Sequence, residues 1–226
     1  MVTCENKREN HMNSHPVGLS RDLPKNRVMR ADVEGVDLAI WRNSKGDLAA
    51  WDNRCPHRGM RLSHGFVRGD RLACLYHGWQ YGSDGNCAYI PAHPDLAPPQ
   101  TIRTKSYSVV EEQGVIWVSI DGSASPELSL AGFEALRSFH VGCNTSQAEK
   151  TLRLSEGAGA TVVEEDGNLI VVGTLKARVL FNPLQDSETL VHVLSEAGAT
   201  LSQRREVSRW CEAFRRRAEA EEVTSV

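Results

Sequence analysis

The sequence has little of what marks nucleic-acid-binding or membrane proteins. Its 226 residues carry 26 Lys and Arg against 29 Asp and Glu, a formal net charge of -3, so no excess of positive charge attracts nucleic acid or anionic lipid. The apolar runs, such as residues 115–120, are far shorter than the roughly 20 residues of a membrane-spanning helix. The composition therefore disfavours a nucleic-acid partner and a membrane location.

The start of the chain also lacks a secretory signature. Residues 1–14 are polar and charged and contain no apolar run for a signal peptide, which predicts a cytoplasmic protein. In a reducing compartment the six cysteines are not expected to form a disulfide framework, and metal ligation is favoured instead. Four of them have no close Cys or His partner and are interpreted as single free thiols: Cys4, Cys87, Cys143 and Cys211.

The pattern of short strands predicts three parts: a polar extension at 1–14, an antiparallel β-domain at 15–121 and a smaller α+β segment at 122–226. The β-domain is expected to be a compact barrel or sandwich. Its clearest β-prone segments, separated by turn clusters, are residues 36–41, 48–51, 108–110 and 115–120.

The second segment predicts two hairpins and a helix. Residues 161–163 and 169–172 flank a turn at 165–168, and a second pair of strands is expected at 175–181 and 189–194. Apolar residues at helical spacing predict an amphipathic helix over residues 201–222.

Two short stretches combine cysteine with histidine. Cys55 and His57 lie in a Gly-containing stretch, and sixteen residues after His57 a second such stretch carries Cys74 and His77. Zinc sites usually pair ligands of one kind, whereas alternation suits a binuclear iron–sulfur cluster in which two Cys hold one iron and two His the other. The spacing favours iron and sulfide, with mononuclear zinc as the alternative.

This region resembles the Rieske domain of the non-haem iron ring-hydroxylating oxygenases. The resemblance runs from about residue 16 to residue 117, nearly half of the chain, and is carried by residues 55–59, 62–65, 74–79, 84–85, 90–91 and 114–117. It implies one Rieske 2Fe-2S cluster, with Cys55 and Cys74 on a buried iron and His57 and His77 on an outer iron near the surface.

The resemblance also implies a shell of residues around the cluster. Arg58, Gly59, Tyr76, Gly78 and Trp79 abut the four ligands. The glycines are expected to permit tight turns close to the metal, and Trp79 to form an apolar lid against solvent.

Three positions bear on the redox potential. High-potential Rieske proteins carry a disulfide across the cluster and a serine that donates to a sulfide, whereas this chain has Met60, Leu75 and Trp79 at the corresponding positions. Fewer hydrogen bonds to sulfur imply a midpoint potential nearer to about -150 mV than to +300 mV, and hence an electron supply from a reductase.

The chain departs from the family after Asp121. Family members continue into a helix-grip catalytic domain with a mononuclear iron held by two His and one carboxylate, typically in a D-x2-H-x4-H run. Here only His140 and His192 follow, and neither lies in such a run. His140 is expected in a loop or helix end and His192 in a strand. The resemblance therefore implies a mostly β protein whose second segment is a shortened remnant of that domain, and a mononuclear iron is doubtful.

Two functions remain open at this point. One is an oxygenase-family oxidoreductase that accepts single electrons from an NAD(P)H-dependent reductase or a ferredoxin and passes them towards an oxygenase active site, its own or that of an oxygenase subunit. The other is a Rieske ferredoxin-like carrier or partner-binding module without oxygenase activity. Family members are commonly trimers, which makes a homo-oligomer an option for this chain.

Overall fold

The protein is described here by a computed structural model, which covers residues 14–126, 128–154, 160–163, 169–185 and 187–223. Its strands form three antiparallel sheets, and two α-helices lie in the C-terminal part. The predicted fold class, mostly β and antiparallel with a smaller C-terminal α+β region, is confirmed. The predicted turn at 165–168 lies outside the described residues, as do residues 1–13.

The first sheet contains the strands with the clearest sequence signal. Their bounds are β1 His15–Leu19, β2 Arg27–Val33, β3 Val36–Arg42, β4 Leu48–Asp52, β9 Ser106–Glu112 and β10 Val115–Ser119. They pair in the order β1-β10-β9-β4-β3-β2. The four strands predicted in this region are confirmed within a few residues at their ends.

The second sheet is inserted between β4 and β9 and carries the cysteine and histidine stretches. Its four strands have three residues each: β5 Phe66–Arg68, β6 Arg71–Ala73, β7 Gln80–Gly82 and β8 Cys87–Tyr89. A strand of three residues is too short to show an alternating pattern, so the sequence analysis did not predict this sheet.

The third sheet forms the C-terminal region together with both helices. Its strands are β11 Phe133–Val141, β12 Ala160–Val162, β13 Leu169–Val172, β14 Leu175–Pro183 and β15 Thr189–Glu196, and the helices are α1 Thr145–Arg153 and α2 Leu201–Val223. The predicted pairs β12–β13 and β14–β15 and the helix α2 are confirmed. Among the described residues no helix is both long and apolar enough to cross a membrane.

The expected position of His140 in a loop or helix end is wrong. His140 lies in β11, paired with Leu190 of β15. The preceding residues Glu134, Ala135 and Leu136 favour a helix by intrinsic propensity, and pairing with a neighbouring strand overrides that preference. His192 lies in β15, as expected.

His192 ties the third sheet to the first. Its side chain is fully buried, with one ring nitrogen 2.7 Å from Ser138 Oγ and the other 3.0 Å from the carbonyl oxygen of Pro16 in β1. The carbonyl can only accept, so Nε2 carries the proton and Nδ1 accepts from the serine hydroxyl. Burial lowers the pKa of His192 to about 4, and the hydrogen bond to the Pro16 carbonyl acts against that shift.

Acidification should therefore weaken the link that His192 makes. Its folded pKa of about 4 lies below the roughly 6.5 of an unfolded histidine, so its contribution is full above pH 6.5 and is lost as pH falls towards 4. Between pH 7 and pH 5 we expect the free energy of unfolding to fall by about 2 kcal/mol more in the wild type than in His192→Gln. Urea unfolding of both proteins at the two pH values measures the difference. Equal pH dependence in the two proteins would contradict the assignment.

Candidate metal centre

Two loops of the second sheet have the same backbone geometry. In the first loop, between β4 and β5, Cys55 N donates to Met60 O at 2.8 Å and Gly59 N donates to Cys55 O at 2.8 Å. In the second loop, between β6 and β7, Cys74 N donates to Trp79 O at 2.8 Å and Gly78 N to Cys74 O at 3.0 Å. Each loop is a closed turn that begins with its cysteine.

Glycine is required at one position of each turn. Gly59 has φ +72° and Gly78 has φ +70°, a left-handed backbone conformation that residues with a Cβ rarely adopt. A Cβ on Gly78 would also lie 3.1 Å from Pro91 Cγ. Each turn thus has a glycine at a position where the backbone is left-handed.

The two loops bring their cysteines and histidines together. Cys55 and Cys74 are 3% and 2% exposed, and they lie close enough for Cys55 to raise the pKa of the Cys74 thiol. The ring centroids of His57 and His77 are 4.8 Å apart, with His57 half-buried and His77 exposed. The sulfur atoms thus face the core and the imidazoles face the surface.

The electrostatics of this group suit a cationic centre. Burial raises the pKa of the Cys74 thiol, and neighbouring Cys55 raises it further, so two adjacent thiolates require compensating positive charge such as metal ions. Partial burial, then the charges of His77 and Arg58, lower the pKa of His57, which favours the neutral imidazole that binds metal.

The donor set consists of two thiols and two imidazoles. Within the described ranges, no three His, Cys, Asp or Glu side chains are grouped so that they could hold a single ion. A Rieske cluster needs only two protein ligands on each iron, because bridging sulfides supply the rest. Four side chains arranged as a thiol pair and an imidazole pair match that requirement.

Aromatic rings cover the two histidines. The Trp79 indole stacks on the His57 ring, with centroids 4.2 Å apart and planes within 6°. The Tyr76 ring lies 3.8 Å from that of His77 and is 55% exposed. Arg58 is exposed on the first loop. The residues expected around the cluster therefore lie at this site, with Trp79 against one imidazole in particular.

Tyr81 is a site residue that the sequence analysis missed. It is fully buried in β7, and its hydroxyl lies 3.1 Å from Cys55 Sγ. Burial, and then the neighbouring Cys55, raise the pKa of Tyr81, so the hydroxyl stays protonated and can donate to sulfur. No local pattern in the sequence marks Tyr81, because β7 has only three residues. Buried Cys87 packs in the same apolar core.

Buried polar contacts fix the first loop to the first sheet. The side chain of fully buried Asn53 accepts from Ser63 N at 2.7 Å, and its amide lies 2.9 Å from both Ser63 Oγ and Asp37 Oδ1. Partial burial would raise the pKa of Asp37, but hydrogen bonds from Asn53 and Arg30 outweigh it and hold that pKa below its usual range. Asn53 thereby sets the direction in which Cys55 enters the site.

The end of the first loop approaches strand β6 closely at Gly65. A Cβ at this position would lie 2.3 Å from the backbone oxygen of Ala73, the residue before Cys74, and 3.0 Å from Leu62 O. This contact explains why a glycine follows His64 in the stretch 62–65.

Comparison with known proteins identifies the class. Residues 13–108 match the family model described as "Rieske [2Fe-2S] domain". This part of the chain is therefore an iron–sulfur protein domain of the Rieske class, and its cofactor is a 2Fe-2S cluster.

Curated relatives match the same half of the chain. Oxidoreductase NdmD of Pseudomonas putida is 42% identical over 116 residues, which cover 51% of this chain and 20% of NdmD. The oxygenase component of 3-ketosteroid-9-alpha-monooxygenase from Mycobacterium tuberculosis is 32% identical over 112 residues, 50% of this chain and 28% of that protein. The matched part thus spans only between a fifth and about a quarter of the length of these relatives.

Solved oxygenases share the fold over nearly the whole chain. Apo dicamba monooxygenase superposes with a TM-score of 0.72 at 18% identity, covering 95% of this chain and 87% of that one. NdmA of Pseudomonas putida CBB5 gives 0.69 at 18% identity, covering 93% and 79%. The likeness includes the third sheet, so the C-terminal region shares its fold with part of these oxygenases.

Proposed function

We propose that Cys55 and Cys74 bind one iron of a 2Fe-2S cluster and that His57 and His77 bind the other. The observation that carries this assignment is the convergence of two matching turns, with a buried thiol pair inside and an imidazole pair outside. The cluster, when bound, takes up and releases one electron at a time. Gly59 and Gly78 hold the turns, and the rest of the predicted shell, Arg58, Tyr76 and Trp79, orients or covers the imidazoles.

We further propose that the chain is an oxidoreductase of the Rieske oxygenase type. It accepts single electrons from an NAD(P)H-dependent reductase or a ferredoxin and passes them towards an oxygenase active site, in its own C-terminal part or in an oxygenase subunit. The relatives support this proposal because one is an oxidoreductase and another an oxygenase component. The division into a Rieske domain at 15–121 and a shortened segment at 122–226, and a cytoplasmic location, remain predictions.

Chemical analysis of purified protein tests the cluster. Two irons and two acid-labile sulfides per chain are expected, with an electron paramagnetic resonance signal only after one-electron reduction. Zinc in place of iron, or iron without sulfide, would contradict the proposal.

A carrier without oxygenase activity is the second candidate. It is supported by His192, whose two ring nitrogens are both hydrogen-bonded within the protein, and by exposed His140, which lies 3.6 Å from Glu188. A third iron per chain that mild chelation removes while the cluster stays would favour the oxygenase; two irons only would favour the carrier.

Tyr81→Phe should lower the midpoint potential of the cluster. The tyrosine hydroxyl donates to a ligand sulfur, and such a bond is stronger in the reduced, more negative state. Its loss should shift the potential down by on the order of 50 mV, equivalent to about 1 kcal/mol for one electron. The control is Tyr107→Phe, which removes a hydroxyl bonded to Asp52 rather than to sulfur. Redox titration of both variants measures the two midpoint potentials. Equal shifts of the midpoint potential would argue against a specific role for Tyr81.

A further inference from the structure

A cavity lies between the first sheet and the third sheet. Its volume is about 380 Å³, within the roughly 300–1,000 Å³ that is typical of small-molecule sites. Val17 of β1 and Ala31 of β2 line one side, and Asn182 of β14 and Leu190 of β15 line the other. The four proposed cluster ligands do not line it, so this cavity is separate from the metal centre.

The cavity uses the face of the third sheet that is turned towards the first sheet. Leu190 is paired with His140 on one side and with Asn182 on the other, so these three side chains share one face. His192, two residues further along β15, lies on the same face and reaches β1. The side chain of Val191 points the opposite way and belongs to the core beneath α2. The cavity is therefore also separate from the core of the C-terminal region.

Asn182 offers an unused hydrogen-bond acceptor at this cavity. The residue is fully buried, and its Nδ2 donates to Asp32 O at 3.0 Å. Its Oδ1 has no hydrogen-bond partner within the described part of the chain. A buried amide oxygen without a partner is destabilising, so a ligand that donates an N–H group here would supply the missing bond.

The cavity carries more negative than positive charge. Its charged side chains are Arg30, Asp32 and Glu188, and Arg30 is also paired at 2.7 Å with Asp37, which does not line the cavity. The ring of His140 lies beside Glu188, with 3.6 Å between Nδ1 and the nearer carboxylate oxygen. An organic cation with N–H donors fits both this charge and the free acceptor, whereas an anion is repelled.

A metal ion fits this cavity less well than an organic cation. Within the described ranges no three His, Cys, Asp or Glu side chains are grouped so that they could hold an ion, and the cavity is far larger than one. Val17, Ala31, Leu184 and Leu190 also give it apolar walls, which suit the body of an organic molecule.

We propose that this cavity binds a small organic ammonium compound with an apolar body. The ammonium group donates to Asn182 Oδ1 and lies near Glu188, and the apolar body lies against the aliphatic walls. Hydrogen bonds from Asn182 Nδ2 to Asp32 O and from Gln185 Nε2 to Gly35 O, both 3.0 Å, join the two sides of the cavity. The site is thus formed before the ligand binds, which lowers the entropic cost of binding.

NMR titration of the ¹⁵N-labelled protein with its cluster intact tests the site. The probes are benzylamine, phenethylamine and tryptamine, each added at about 50 mM salt. The tightest of the three should bind with a Kd of about 1 mM or below and should shift the amide signals of both Ala31 and Leu190. The carboxylate with the same ring as that amine should bind at least about tenfold more weakly.

Asn182→Ala removes the free acceptor and should weaken amine binding at least about tenfold, because hydrogen bonds to charged groups are among the stronger ones. The matched control is Ser195→Ala. It removes another fully buried oxygen that has no partner among the described residues, in the same sheet but outside the cavity. Amine binding to this control should stay within about twofold of the wild type.

A second variant leaves the buried hydrogen bond of Asn182 to Asp32 in place. Glu188 is exposed, so Glu188→Gln preserves the fold, and the loss of its charge should weaken amine binding about threefold. Glu112→Gln removes an equal charge from an exposed position in β9 and should leave amine binding unchanged.

The outcomes separate this inference from the proposed function. The ammonium site would be overturned if none of the three amines bound up to about 5 mM. Equal binding of the amine and its carboxylate, or equal effects of Glu188→Gln and Glu112→Gln, would also overturn it. In either case an intact cluster would leave the electron-transfer role standing. Amine binding at Ala31 and Leu190 in protein that lacks iron would support this site and contradict the cluster.

Discussion

We expect Cys74→Ala to abolish the visible absorption of the cluster and to lose the bound iron, because Cys74 is one of the four proposed ligands. The iron content should fall from two per chain to near zero, because a single remaining thiol cannot hold the inner iron. Loss of the cluster removes metal-linked stability, so the thermal unfolding midpoint should fall by about 10 °C or more. Absorption spectra, iron analysis and thermal unfolding measure these effects. His77→Ala should give the same result from the imidazole side.

Cys87→Ala is the matched control. Cys87 is 4% exposed, belongs to the same apolar core as Cys55 and Cys74, and has a pKa raised mainly by burial, but its thiol is directed towards Tyr89 O at 3.9 Å. Its replacement should cost only about 1 kcal/mol of stability and leave the cluster spectrum intact. A full cluster spectrum in Cys74→Ala, or its loss in Cys87→Ala, would show that the ligands are assigned wrongly.

The parts of the fold that were predictable are those with a local pattern. Strands β3, β4 and β10 carry enough β-branched, aromatic and aliphatic residues to be recognised one at a time, and the β14–β15 hairpin has long strands on both sides of its turn. Helix α1 was missed although its start has a clear signal. Asn144 caps it by accepting from Gln147 N at 2.9 Å, a contact that an Asn before a helical stretch often makes.

The candidate site shows the same division. The four proposed ligands could be predicted because their residue types and spacing can be recognised in the sequence: Cys55, His57, Cys74 and His77. The contact of Tyr81 with Cys55 joins residues 26 positions apart, and it exists only because β7 lies beneath the first loop. Contacts of this kind depend on the register between short strands, which no local pattern in the sequence determines.

Gly65→Ala should separate the two loops. The backbone of Gly65, at φ -77°, suits any residue, so the effect is steric. The added methyl group would lie 2.3 Å from Ala73 O, a backbone atom of β6 that cannot move without displacing the adjacent Cys74. Relief of this overlap moves the thiol of Cys74 away from that of Cys55, and a cluster tolerates little change in ligand spacing.

We expect the iron content of Gly65→Ala to be at least about fivefold lower than that of the wild type. Its free energy of unfolding should be lower by about 2–4 kcal/mol. The control is Gly122→Ala, where the nearest atom to an added Cβ is Ser119 Oγ at 3.9 Å, and where the change in stability should stay within about 0.5 kcal/mol. Iron analysis and urea unfolding of the two variants provide the comparison. The proposal would be contradicted by two irons per chain and an unchanged midpoint potential in Gly65→Ala. In that case β6 shifts without moving Cys74, and the close contact at Gly65 does not set the spacing of the ligands.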